Sequence, residues 1–239
     1  MYYKNKNVVF LHIPKTGGTS VEHLLKQNYG EEGYGRHYSL RIFEIKNKEL
    51  NKCLVFTIVR NPFERIASTF KHFLIATGSE RDGFKYSGRF LRLGRVPAQP
   101  VVGAPGFSRY VQNIKKYFNK ELSIESFKAI DDDGKKVLDI QHIQKFDWWI
   151  KLNDDSLYKD YKFLKFESLN LDWEIFKSNL NIKEPLPHLN KQHVWADMLC
   201  PLYYMDYYDK ESFEIIKEIY SKEIEMFEYA SEYERYARI

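Results

Sequence analysis

Apolar residues come in short, dense runs, and the spacing inside each run separates strand from helix. Residues 8–13 (VVFLHI) form a short, β-branched run that stops at Pro14, predicting a buried strand. After the glycines at 17 and 18 the spacing changes. In SVEHLLKQ, Val21, Leu24 and Leu25 share one face of a helix starting at about Thr19. The order strand, glycine-containing turn, helix is then repeated. Residues 53–59 (CLVFTIV) are almost continuously apolar, as in a central strand covered on both faces. Arg60 and Asn61 follow, and Pro62 suits the first turn of a helix running through Phe63, Ile66, Ala67 and Phe70 to about residue 73. A third strand is predicted at residues 162–166 (KFLKF), just before Glu167. A last helix begins near Asp209, with Phe213, Ile216, Ile219 and Tyr220 at helical spacing. Strands alternating with helices predict an α/β fold with a central, mostly parallel sheet flanked by helices.

No internal repeat or Ser/Gly-rich linker divides the chain, so residues 1–239 read as one domain. Its long interruption is residues 77–107, with Gly78, Gly83, Gly88, Gly94, Gly103 and Gly106 and the basic residues Arg81, Lys85, Arg89, Arg92 and Arg95. A stretch of this kind is either a solvated insertion or a functional loop, here one suited to an acidic acceptor.

Composition narrows the class. Hydrophobic residues at 44% and charged residues at 29% describe an ordinary soluble globular protein. A net charge of only +4 does not call for nucleic acid, yet suits a polyanionic small ligand. Cys53 and Cys200 have neither disulfide-framework nor metal spacing, and no CxxC, HExxH or EF-hand loop occurs, so no metal is expected. The apolar run at the N-terminus is too short for a signal peptide or membrane anchor. The expected setting is reduced and cytoplasmic, although a chain trimmed of an anchor would read the same.

Two segments carry chemistry. In Pro14-Lys15-Thr16-Gly17-Gly18-Thr19-Ser20 a strand feeds a helix, where open backbone N–H groups and the positive end of the helix dipole attract anions. The glycines allow close approach of the main chain, Thr16, Thr19 and Ser20 add hydroxyls, and Lys15 adds a mobile charge. The pattern is not GxxxxGK[ST], because the lysine precedes the glycines; taken alone it also fits a glycine turn capped by Ser or Thr. In Arg60-Asn61-Pro62-Phe63-Glu64-Arg65-Ile66-Ala67-Ser68, Arg60 stands at the carboxyl end of a central strand, where open α/β sheets hold their ligands. Its planar fork fits a phosphate, and Ser68 on the next helix offers a second donor. Two anion sites at two strand ends suit a nucleotide phosphorylated at both its 5′ and 3′ positions.

HIPKTGGTS at residues 12–20 and IVRNPFERIASTF at 58–70 resemble the sulfotransferases that use 3′-phosphoadenosine-5′-phosphosulfate (PAPS). The resemblance is closest to the carbohydrate branch that includes heparan sulfate 2-O-sulfotransferases and related bacterial enzymes. It extends through FLKFESL (163–169), LPHLNK (186–191) and IYSKEIEMFEY (219–229). The family pattern has Asp before the final apolar pair, where this chain reads SKEIEMF. The resemblance implies a fold similar to P-loop nucleotide-binding folds. It implies PAPS as donor, adenosine 3′,5′-bisphosphate as product, a hydroxyl acceptor, here a glycan, and no metal. Lys15, Thr16, Gly17, Gly18, Thr19 and Ser20 correspond to the 5′-phosphosulfate loop, and Arg60 and Ser68 to the 3′-phosphate site.

Transfer of this kind depends on positioning and on charge stabilisation, which Lys15 can supply at the leaving oxygens. The acceptor hydroxyl also needs a base. Among the seven histidines, His37 in Gly35-Arg36-His37-Tyr38-Ser39 best matches the histidine base of the family. Glu44 and Glu167 are the reserves, and Lys191 is a candidate for a loop over the nucleotide. His12 precedes the loop on a strand and is expected to pack beside it. Two rivals stay open: a P-loop kinase, which lacks here a Walker lysine and an acidic magnesium residue, and a non-catalytic polyanion-binding module. The oligomeric state is not legible in the chain.

Overall fold

A computed structural model describes residues 1–30, 35–46, 50–76, 106–122, 140–189 and 203–230. Most of the predicted insertion (77–105) lies outside them, as do Lys191, His193 and Cys200. The strands are β1 (Tyr2–Tyr3), β2 (Val8–Leu11), β3 (Leu54–Val59) and β4 (Tyr161–Lys165). The helices are α1 (Gly18–Tyr29), α2 (Leu40–Lys46), α3 (Pro62–Ala76), α4 (Phe107–Phe118), α5 (Phe146–Ile150), α6 (Leu169–Phe176), α7 (Lys210–Ile219) and α8 (Ser221–Met226). The chain divides into two compact units, Met1–Asn61 with Gln144–Lys191 and Pro62–Ile143 with Gln192–Ile239.

The first unit holds the sheet, in the order β1-β2-β3-β4. β2, β3 and β4 run parallel and β1 is antiparallel to β2, so the expected mostly parallel α/β sheet is present. Every residue of β2 is buried, and so are residues 55–59 of β3, which explains why both read as unbroken apolar runs. The strand predicted at 8–13 stops at Leu11, leaving His12 and Ile13 beyond it. The one predicted at 162–166 is shifted by one residue, and Phe166 opens a short 3₁₀ turn. β1 escaped prediction because two residues carry no period. The core is aromatic: the ring of Phe56 lies 4.9 Å from those of both Phe10 and Phe176. Val21, Leu24 and Leu25 of α1 pack into the same cluster, as their spacing predicts.

The second unit is helical among its described residues. α3 begins at Pro62 as expected and buries Phe63, Ile66, Ala67 and Phe70. Phe63 stacks on Phe213 at 4.6 Å, while the Tyr208 hydroxyl donates to the Phe63 carbonyl at 2.8 Å. α7 starts where Asp209 predicts, because the Asp209 carboxylate accepts from the Ser212 N–H and the Ser212 hydroxyl accepts from the Asp209 N–H. Arg65 is buried and lies 3.5 Å from Glu223, the first acidic residue of the SKEIEMF segment. α4 starts at Phe107, the last residue of the predicted insertion.

Phe56 is fully buried between two aromatic neighbours, so Phe56→Ala removes apolar contact and leaves a cavity. The expected cost is about 3–5 kcal/mol, read as a lowered urea midpoint with the slope preserved.

Candidate active site

The carboxyl ends of β2 and β3 point the same way, so the segments that follow them emerge side by side. After Leu11 the chain turns through Lys15 (φ 66°) and Gly17 (φ 82°), both left-handed, and enters α1 at Gly18. Such a conformation is costly for a lysine, and strained backbone of this kind gathers at ligand sites. The glycines are required sterically. A Cβ on Gly17 would sit 2.8 Å from the Phe166 ring, and one on Gly18 would sit 2.4 Å from the His12 ring. Gly17 is also the N-cap, and no side chain caps the helix there. The first-turn N–H groups of α1, which have no partners within the helix, therefore receive no oxygen from an N-cap side chain. Thr16 differs from expectation in one respect. It is buried and its hydroxyl donates to the Ile13 carbonyl at 2.8 Å, so that proton serves the turn. Thr19 and Ser20 are half-buried in the first turn of α1.

Arg60 follows β3 and reaches across to this loop. Its Nη1 donates to the Lys15 carbonyl at 2.8 Å, and its guanidinium lies 4.0 Å from the centre of the Phe166 ring. Phe166 therefore presses on Gly17 and supports Arg60 at once, so the FLKFESL segment packs against both strand-end segments. Burial and then the nearby charge of Arg60 lower the Lys15 ammonium from its usual range to about 8. Both cations are held where an anion would relieve them.

His37 is likewise left-handed (φ 60°), and its Nδ1 lies 2.8 Å from the His12 carbonyl oxygen. A carbonyl only accepts, so Nδ1 carries the proton, and in the neutral ring Nε2 bears the lone pair. The rings of His12 and His37 lie 4.6 Å apart. His12 is itself buried beside the loop, as expected, with Nδ1 3.0 Å from Glu22 Oε2. Burial lowers its pKa to about 4, outweighing the bond to Glu22, so at neutral pH it is an uncharged donor. Glu22 also meets Lys26 at 2.9 Å and Arg36 at 3.1 Å. Burial alone would raise its pKa, but the bonds from His12 and Lys26 and the charge of Arg36 prevail and hold it at about 2. Glu22, Arg36 and Phe166 were not singled out from sequence. The signals were the i,i+4 spacing of Glu22 and Lys26 and the adjacency of Arg36 to His37.

The reserve bases occupy other positions. Glu44 accepts from the N–H and side-chain amide of Asn153, both at 2.7 Å. Glu167 accepts from the Asn61 N–H at 2.7 Å, fixing the chain just after Arg60. The first unit thus gathers Lys15, Thr16, Gly17, Gly18, Thr19, Ser20, Arg60 and His37, whereas Ser68 lies half-buried on α3 in the second. Among the described residues no three His, Cys, Asp or Glu side chains come together as a metal site, and no helix is long and apolar enough to cross a membrane.

No curated protein and no solved structure matches the chain. Residues 1–230, which include both strand-end segments and the loop of His37, match the family described as "Sulfotransferase family". With nearly the whole chain inside that match, the protein belongs to the sulfotransferase family and is a transferase of sulfuryl groups.

Proposed function

We propose that the protein transfers a sulfuryl group from PAPS to a hydroxyl on a carbohydrate, with residues 1–239 working as one catalytic domain. The observation that carries this reading is the bond from Arg60 to the Lys15 carbonyl, which ties two anion-attracting strand ends together. The donor set fits a doubly phosphorylated nucleotide. An uncapped helix start with glycines that tolerate no side chain suits the 5′ end, and a guanidinium suits the 3′-phosphate. Ser68 is proposed as a further 3′-phosphate donor. The carbohydrate acceptor rests on the resemblance of both motifs to that branch of the family.

PAPS supplies the activated sulfuryl group; the chain supplies position and charge. His37 accepts the proton of the acceptor hydroxyl at Nε2, the ring nitrogen left unprotonated when Nδ1 donates to His12. Lys15 offsets the negative charge that gathers on the leaving oxygens as the old sulfur–oxygen bond breaks and the new one forms. The backbone N–H groups of residues 17–20 and the Arg60 guanidinium bind and orient the nucleotide without changing partners during transfer.

Adenosine 3′,5′-bisphosphate at ~100 times its dissociation constant should stabilise the fold by about 2.7 kcal/mol, and AMP far less. Arg60→Ala should erase most of the difference. Equal thermal shifts for the two nucleotides would contradict two linked anion sites.

The alkaline limb should belong to Lys15. Its pKa of about 8 in the free protein means that the cation is lost as pH rises through that value, so kcat/KM for the donor falls there. A bound polyanion favours the charged amine, so the limb in kcat lies at higher pH. Lys15→Ala should lower kcat and lose the limb; a limb that persists in Lys15→Ala would assign it elsewhere.

His37→Ala should lower kcat by ~10²–10⁴-fold while bisphosphate binding stays near wild type. Near-normal turnover in a folded His37→Ala protein would end the assignment of the base.

A further inference from the structure

Building on the reading of His37 as the base, we infer that Glu22 is the positioning residue that aims it. A single carboxylate oxygen joins the two pieces of chain that define where His37 sits. Oε2 of Glu22 lies 3.0 Å from Nδ1 of His12, whose carbonyl takes the His37 ring proton. The same Oε2 lies 3.1 Å from Nε of Arg36, the residue just before His37. The ring is thereby held through its hydrogen bond at one end and through its own backbone at the other. His37 also has a left-handed backbone, an uncommon conformation for a residue with a side chain.

Glu22 is placed to do this because it is on α1, one turn beyond the glycines of the anion loop. The His12 ring packs against Gly18 and lies 4.6 Å from the His37 ring, so it forms a spacer between the helix start and the base. Glu22 therefore sets the base in register with the helix whose N-terminus binds the donor. The charge pattern is consistent with this. Glu22 is a carboxylate held by two cations and by a histidine that burial keeps neutral against the pull of Glu22 itself, and the His12 Nδ1–H is committed to it. An aligned base accelerates the reaction only when the reacting atoms are within a narrow range of distance and angle, so a loosened ring loses rate before it loses binding.

The test is a double-mutant cycle with an independent spectroscopic readout. Glu22→Met removes the acceptor at similar length, and Arg36→Gln breaks only the half-exposed arm, so it serves if Glu22→Met does not fold. Each should lower kcat by ~10–100-fold, the usual range for removing a partner that orients a working side chain, with bisphosphate affinity unchanged. Neither should lower kcat further in a His37→Ala background, because both act through that ring. In the wild-type protein, imidazole ¹⁵N shifts should show neutral His37 with the proton on Nδ1; in Glu22→Met they should show a mixture of tautomers. Equal losses in both backgrounds, bisphosphate affinity falling in step with kcat, or a wild-type His37 protonated on Nε2 would each overturn the inference. Normal turnover in His37→Ala would remove the base itself, a different result that takes this inference with it.

Discussion

The parallel pairing of β2 with β3 is the constraint on which the site depends. Leu11 lies opposite Thr57, and the Thr57 hydroxyl donates to the Leu11 carbonyl at 2.8 Å, which locks the register at the carboxyl ends of both strands. Lys15 is four residues beyond one partner and Arg60 three beyond the other. A slip of one residue would reverse every side chain on a strand whose residues are all buried. With the register fixed, the guanidinium of Arg60 meets the Lys15 carbonyl, and the turn after β2 is joined to the segment after β3 as the proposed two-part anion site requires.

Charge at this site is arranged by burial more than by pairing. Lys15 is partly desolvated next to Arg60, which weakens its hold on its proton, and Arg60 lies over the face of Phe166. Two cations brought close in a partly dry environment repel one another, an unfavourable term that the proposed polyanionic donor would relieve. The rest of the site is stiffened without adding positive charge. The Asn61 N–H is held by Glu167, Thr16 by the Ile13 carbonyl, and His12 remains uncharged against Glu22. Carboxylates that could serve as bases on grounds of residue type alone are in fact hydrogen-bonded to the scaffold, Glu44 to Asn153 and Glu167 to Asn61.

His12 links the glycine turn to His37. As the residue directly after β2 it is inflexibly placed, and it uses three parts of itself. Its carbonyl takes the His37 proton, its ring nitrogen meets Glu22, and its ring edge excludes any side chain from position 18. A histidine in the loop motif is thus explained without assigning it a proton-transfer role. Its pKa of about 4 leaves it neutral through the physiological range, which suits a spacer.

Much was determined by the chain alone. The runs at 8–13 and 53–59 specified buried parallel strands because burial on both faces demands unbroken apolar residues, and Pro62 and Asp209 marked helix starts through local backbone chemistry that needs no distant partner. The need for the glycine pair was legible as a tight strand-to-helix turn, and Arg60 as the residue that closes a central strand. What only tertiary structure decided was which groups meet across long separations. Phe166 contacts Gly17 and Arg60, Glu22 joins His12 to Arg36, and the His12 carbonyl selects the tautomer of His37. No period or motif encodes these meetings, because each depends on the register of the sheet and on the angle at which α1 leaves it. The partners of Glu44 and Glu167 emerged in the same way, since a carboxylate in sequence shows its charge and its partners appear only in the fold.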